Sequence, residues 1–413
     1  MENKQMKSKR IMEMVACVLL VSAAVTMGCQ EQSRGAHSVP KNQENQNMVN
    51  ESAAKEQSAA ANVQREGSLV RLTNVSPATG GGNGYVHGLE TLLVHAGVPV
   101  DYNRLMGLSG LAFIFQADRE DNPGWWPLDP WGLKLHREFL ARAVGYELTE
   151  VGVFYDSHQW PEASRDDARE AYLKQIHPDV VRQIDAGQPV LVTFCPTDAV
   201  WGFVIFGYDH TLAADKPPVW GRCARETTDY RGYCEDWPFG VILLGQRLAP
   251  MDPDAADLTA LRNAVALAHD QAGPTDAPGA GRRFTGQKAW AVWAALLRNV
   301  DDATDDHQHG NSRNQLIQNR TAAVAYLRSV ADRYDAQAGG ERRDEAVKAL
   351  RAAAATYEKV LEQANRLDVA GVSTDAEKRR QQADTVERLA TLEQEAIAHL
   401  SRAIDAMEGT SKK

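Results

Sequence analysis

The chain has 413 residues, with 45 Lys and Arg against 55 Asp and Glu, for a formal net charge of −10. That acidic balance excludes the broad basic footprint on which nucleic-acid binding depends. The length accommodates two domains, each able to bury a core, while five cysteines are too few for a disulfide scaffold.

The elements begin with Lys4, Lys7, Lys9 and Arg10, followed by an apolar run from Met14 to Met27 that ends at Gly28-Cys29. A basic start, an apolar middle and a small-residue end form the layout of a secretory signal. The run has 14 residues, short of the roughly 20 that a spanning helix needs, so a permanent transmembrane anchor is the weaker reading. Val25-Thr26-Met27-Gly28-Cys29 resembles the lipobox of bacterial lipoproteins. That resemblance implies cleavage before Cys29, diacylation of its thiol and anchoring in the cell envelope, on the periplasmic or extracellular side of a membrane. Met27 departs from the small residue usual there, and a plain secretory signal is the alternative. Loss of residues 1–28 would remove four basic and two acidic residues, taking the charge from −10 to −12.

Residues 29–66 are rich in Gln, Asn, Ser, Ala, Glu and Lys. Such a composition offers too little burial to offset chain entropy, so it reads as a tether. From 67 to 250 the pattern is α+β. Val86, Leu89, Leu92, Leu93 and Ala96 keep a helical period. Asp101 starts a short helix, and Leu135, Phe139, Leu140 and Ala143 mark a third, closed by Gly145. Short β-branched or aromatic runs at Leu148–Phe154, Pro189–Phe194, Gly202–Phe206 and Val241–Leu244 predict strands. From 251 to 413 strand signals vanish. Ala346, Leu350, Ala353, Tyr357, Val360 and Ala364 step by four and three. Ala323, Leu327, Val330 and Tyr334, and then Leu389, Ala396, Leu400 and Ile404, form similar stripes. An all-α bundle or long helical hairpin is expected, with breaks near Gly339-Gly340 and at Gly371.

Some residues carry chemistry. In an oxidising compartment two of Cys195, Cys223 and Cys234 can pair; Cys223 and Cys234 flank a turn-like stretch and are the favoured bridge, with three free thiols as the alternative. Pro123-Gly124-Trp125-Trp126-Pro127 and Asp129-Pro130-Trp131 gather indoles in a Pro/Gly-rich loop. With Trp201 they suit either core packing or the wall of a binding groove. Gly80 to Gly84 lacks the Lys-Ser/Thr of a phosphate loop, leaving only a generic anion site at a helix start. His87, Glu90 and His95 lack the i, i+4 histidine pair of a zincin and read as a solvated face. Asp301, Asp302, Asp305, Asp306, His307 and His309 read as a solvated interhelical loop. No metal and no cofactor is expected.

The segment from Asn83-Gly84-Tyr85-Val86-His87-Gly88-Leu89-Glu90 to Ala96-Gly97 continues into Gly107-Leu108-Ser109-Gly110-Leu111-Ala112-Phe113. It resembles the N-terminal domain of the butirosin-biosynthesis acyltransferase family (its H protein). It is similar, more distantly, to the papain-like peptidases that process double-glycine leader peptides. Trp201-Gly202-Phe203-Val204-Ile205-Phe206-Gly207-Tyr208-Asp209 looks like the strand that carries the catalytic His in those peptidases. The resemblance covers roughly residues 80–250 and implies a papain-like fold. It also implies a nucleophilic Cys at the start of the first helix, where the dipole and free N–H groups stabilise thiolate and oxyanion, with a His across the cleft as base and acid. Matching Gly97 puts the nucleophile position at Gly84; matching Gly207-Tyr208-Asp209 puts the His position at Trp201. Neither residue can do that chemistry. The expected function is therefore a non-catalytic cleft that binds a small ligand, peptide or partner protein. One alternative is a thiol-dependent acyltransferase or peptidase using Cys195 with His158, His177 or His210. The other is a structural envelope protein that assembles through its helical region.

Overall fold

Strands Val190–Phe194, Phe203–Asp209 and Gly240–Arg247 (β5, β6, β9) are nearly continuous apolar runs because both of their faces are covered. The computed structural model describes residues 62–75, 82–118, 136–152, 169–170, 172–194, 202–211, 217–223, 232–233, 237–238, 240–269, 283–298, 306–337, 340–368 and 370–411. All of them fall in one compact unit, Lys55–Lys413.

The main sheet is antiparallel, in the order β1-β2-β6-β5-β9-β4, with β7 also on β6 and β8 on β7. Here β1 is Val63–Glu66, β2 Leu69–Leu72, β4 Tyr146–Gly152, β7 Val219–Cys223 and β8 Gly232–Tyr233. Alternation divides the side chains between two cores. Leu191, Val204, Ile242 and Leu244 point to one side, where helix α1 (Gly84–His95) lies. Val190, Val192, Ile205, Val241 and Leu243 point to the other, beneath a π-helical turn (Tyr172–Ile176) and helix α4 (His177–Asp185). On that side Tyr172, Ile176, Val180 and Ile184 are all fully buried.

Helix α2 (Tyr102–Leu108) is capped by Asp101, whose side chain accepts from the Arg104 amide at 2.8 Å. Helix α3 (Arg137–Val144) ends at Gly145 with φ 74°, a left-handed conformation that costs glycine little. Both helices follow the sequence reading. Beyond the sheet come α5 (Pro253–Ala268), α6 (Gly286–Arg298), α7 (Asp306–Asp335), α8 (Glu341–Asn365) and α9 (Ala376–Ser411). The expected stripes are the buried ones: Ala346, Leu350, Ala353, Tyr357, Val360 and Ala364 on α8, and Leu389, Ala396 and Leu400 on α9, are 0% exposed. Val94 is the one large hydrophobic left exposed among the described residues. No helix among them is long and apolar enough to cross a membrane.

Two of the departures from the sequence expectation concern strands. β1 begins at Val63, inside the stretch read as tether, because a hairpin with β2 closed at Gly67 satisfies its backbone without burying its mostly exposed side chains. The helical region also contains a strand, β10 (Arg283–Thr285), which pairs antiparallel with β3 (Gln116–Asp118).

One core runs from α1 through α2, the Leu111–Phe115 turn and α5 into α6–α9. Two buried ionic clusters cross the same ground. Arg320 on α7 makes a bidentate pair with Glu393 on α9 (Nε–Oε2 3.0 Å, Nη2–Oε1 2.9 Å), and its Nη1 donates to the Ala112 carbonyl at 2.8 Å. Tyr357 donates to Glu393 at 3.2 Å, and burial pushes its phenol well above the ordinary range. Asp257 on α5 takes Arg104, Arg333 and the Tyr326 hydroxyl, the last at 2.7 Å. Burial raises the Tyr326 phenol as well.

Candidate functional site

The start of α1 is where the sequence places its chemistry, and there the chain removes side chains. A Cβ on Gly202 would overlap the carbonyl of Gly84, and one on Gly88 would overlap Leu191 of β5. Gly202 has φ 69°, so glycine is required both for the conformation and for the approach. Residue 202 therefore packs on residue 84, bringing together the two chain regions that the sequence reading put across one cleft.

The helix start is already capped. Asn83 is 2% exposed, and its Oδ1 accepts from the Tyr85 and Val86 amides at 3.1 and 3.2 Å. The Asn83 amide in turn donates to the Tyr102 hydroxyl at 3.0 Å. The anion site considered from the glycine run thus loses two of its donors to a side chain of the protein. The free N–H groups that would favour a thiolate or oxyanion are engaged in the same way.

His87 and Glu90 are not a solvated face. They are 0% and 2% exposed, because α1 lies between the sheet and α2 and is buried from Gly84 to Leu93. His87 Nδ1 faces Glu90 Oε2 at 3.3 Å, Glu90 Oε1 accepts from the Tyr102 amide at 3.1 Å, and the imidazole stacks on the Tyr102 ring at 4.3 Å. His87 Nε2 is buried with no hydrogen-bond partner. Thr193 adds a second such group: it is 0% exposed and its Oγ1 is unpartnered, at the irregular step of β5 between Val192 and Phe194. Sequence reasoning missed this polar set. The signal available was small residues at 84 and 88 on one helix, which mark a helix pressed closely on a neighbour.

Gly84 opens α1 as expected. Cys195, Trp201, Trp125, Trp126, Trp131, Cys29, Cys234 and His158 lie outside the described residues. Cys223 ends β7 with its backbone paired to Phe203, and its thiol is likewise outside them. His177 begins α4, its Nδ1 3.2 Å from the Tyr172 hydroxyl; burial first, and His210 second, lower its pKa. His210 follows β6 and packs edge-on against Tyr208. His309 sits within α7, 1% exposed, and accepts from Trp293 Nε1 at 2.8 Å, so it does not belong to a solvated loop. Among the described residues no group of three or more His, Cys, Asp or Glu is placed to hold a metal ion.

No protein-family model matches the chain, and no curated protein matches it either.

Proposed function

We propose that this is an exported lipoprotein whose papain-like domain has kept the cleft and lost its machinery. It binds a small ligand, a peptide or a partner protein at the start of α1. The observation that carries the reading is the contact of Gly202 on Gly84. Gly202, directly after the position assigned by resemblance to the base, lies against Gly84, the position assigned to the nucleophile, which bears no side chain. The Asn83 cap supports the same reading, since it occupies two N–H groups that an acyl oxyanion would otherwise use. The antiparallel sheet with α1 against β5 and β6 suits a papain-like domain, and the 14-residue apolar run ending at Cys29 supports lipid anchoring outside the cytoplasm.

A competing reading keeps an enzyme through Cys195, which directly follows β5, the strand whose Leu191 lies against Gly88 of α1. A role in envelope assembly draws no support from the helical stripes, which are turned into the chain's own core.

Two labelling experiments test the proposal. A clickable palmitate analogue fed to producing cells marks the wild-type chain and fails to mark Cys29→Ala; equal labelling of both refutes the anchor. A thiol-reactive acyl or epoxide probe leaves the purified chain unmodified at Cys195. Rapid labelling that is abolished in Cys195→Ser would overturn the non-catalytic cleft in favour of a cysteine enzyme.

A further inference from the structure

Helices α6 and α9 are tied together at two points. At one, the Gln287 carboxamide bonds the Ala390 carbonyl at 3.3 Å and the Gln394 side chain at 2.8 Å. At the other, Arg298 forks onto Glu387 and also donates to Asp384 at 2.7 Å. Between the ties the facing residues include Ala291, Ala294, Ala295 and Ala390, whose methyl groups are too short to close the space. An open groove of about 590 Å³ remains, with Trp290 in its floor. That ring is 1% exposed and stacks on the buried Phe115 at 4.1 Å, so the floor is backed by the core. Gln287 and Arg298 are eleven residues apart on α6, about 16 Å of helix. The volume falls within the range of small-ligand sites, about 300–1,000 Å³.

We propose that this groove binds a small organic cation with a slender apolar body, its ammonium at Glu387 and Asp384 and its chain over the alanines toward Gln287. The charge balance selects the sign. One guanidinium meets two carboxylates, which leaves one negative charge in excess, and Arg298 is the only Lys or Arg among the described residues that line the groove. Arg298 holds the Glu387 carboxyl below its ordinary range, so that charge persists at neutral pH. Both carboxylate side chains are more than half exposed, and each keeps acceptor sites beyond those the guanidinium fills. An anion would meet the excess charge with repulsion, and the neutral floor offers it no donor in return. The size argues for a small molecule rather than a helix. A helix about 10–12 Å across would take more than about 1,200 Å³ over the same length, twice the space present. The groove stands on α6 and α9 and does not depend on the papain-like reading of the cleft at α1.

The test uses the purified full-length chain with isotope-labelled alanine methyl groups, read by NMR. The probes are octylammonium, octanoate and 1-octanol, which share a chain and differ in charge. Octylammonium moves the methyl signals of Ala291, Ala294, Ala295 and Ala390 in a saturable way. Octanoate binds at least about fivefold more weakly, as one excess charge at close range requires. Ala295→Leu places a larger side chain at an exposed position of the groove and abolishes the saturable shifts from all the probes; Ala291→Leu, one turn away, does the same. Asp384→Asn keeps the Arg298–Glu387 pair, removes the excess charge and so erases the difference between octylammonium and octanoate. The proposal is overturned if millimolar octylammonium moves none of these signals, if octanoate binds as tightly, or if both leucine variants bind like the wild type. A preference for the cation that survives Asp384→Asn would also overturn it, since the selecting charge would then lie elsewhere. Labelling at Cys29 or Cys195 does not touch the groove, so the two proposals fail separately.

Discussion

Replacing Glu393 with Gln tests whether the ionic cluster under the Leu111–Phe115 turn holds the helices to the sheet domain. Arg320 and Glu393 are 0% and 1% exposed, and the guanidinium makes two bonds to the carboxylate and one short bond to the Ala112 carbonyl. The Gln variant keeps the shape but removes the counter-charge and turns an amide N–H₂ toward guanidinium donors. Breaking one side of a buried pair typically costs about 3–5 kcal/mol. For a cooperative unit of this size about 4 kcal/mol corresponds to a fall of about 5 °C in melting temperature. Replacing both partners, in Arg320→Met with Glu393→Leu, leaves no charge to strand. The Ile114 carbonyl keeps its bond from Asn319, and Tyr357→Phe placed in the same background removes the hydroxyl that donates to Glu393, so the main loss is the donor to Ala112, about 1–3 kcal/mol. The double variant in that background is thus more stable than Glu393→Gln in it. Calorimetry and urea unfolding of both variants read this directly. A cost below about 1 kcal/mol for Glu393→Gln, or a double variant less stable than either single one, would refute the reasoning.

Asn83→Ala removes the cap of α1 and costs about 1 kcal/mol in urea unfolding; it also frees the Tyr85 and Val86 amides, so added phosphate stabilises the variant more than the wild type. An equal response to phosphate would show that the cap does not guard those donors. Burial holds the His136 imidazole down at about 4. The unfolded chain, titrating near 6.5, therefore takes up this proton first as the pH falls. The stability present above pH 6.5 is lost between there and pH 4 and levels off below, by about 2 kcal/mol between pH 7 and 5. His177, also lowered, adds a loss of the same sign. His136→Gln should flatten the profile measured by urea unfolding at the two pH values; an unchanged slope would assign the loss elsewhere.

The helical stripes on α7, α8 and α9 were legible because a period of three and four over many turns has no other use than burial. Strands β4, β5, β6 and β9 were legible because their β-branched runs end at glycine or proline. β1 was not: Val63-Gln64-Arg65-Glu66 is three-quarters polar and exposed, and only its pairing with β2 makes it a strand. β3 and β10 are three residues each and meet across distant parts of the chain, so neither carries a local signal. In the site, Gly84 was found by alignment to a motif, and its contact with Gly202 requires only that the two motifs fold together. The burial of His87 and Glu90 was hidden because polar residues three apart default to a wet face, and it takes Tyr102 of α2 to cover them. Arg320 and Glu393 lie 73 residues apart, beyond the reach of any spacing rule.

The β1 hairpin has a mechanical consequence. Everything upstream of Asn62 enters the fold through β1, which pairs on one side with β2 and whose Val63 end is the open end of the ladder. A pull arriving from the N-terminal side loads the Thr73 amide–Asn62 carbonyl bond (2.7 Å) first and then opens the ladder one rung at a time from Val63–Leu72 toward Gly67, rather than shearing all rungs together. Since β1 buries little, four residues can peel away, about 14 Å of slack, with the Arg65–Asp185 ion pair breaking on the way. β2, seated on β6 with Val70 and Leu72 in the core, takes the load only afterwards. β1 thus acts as a short mechanical fuse between the leading segment and the rest of the sheet, so tension on that segment is relieved before it reaches β2 and β6.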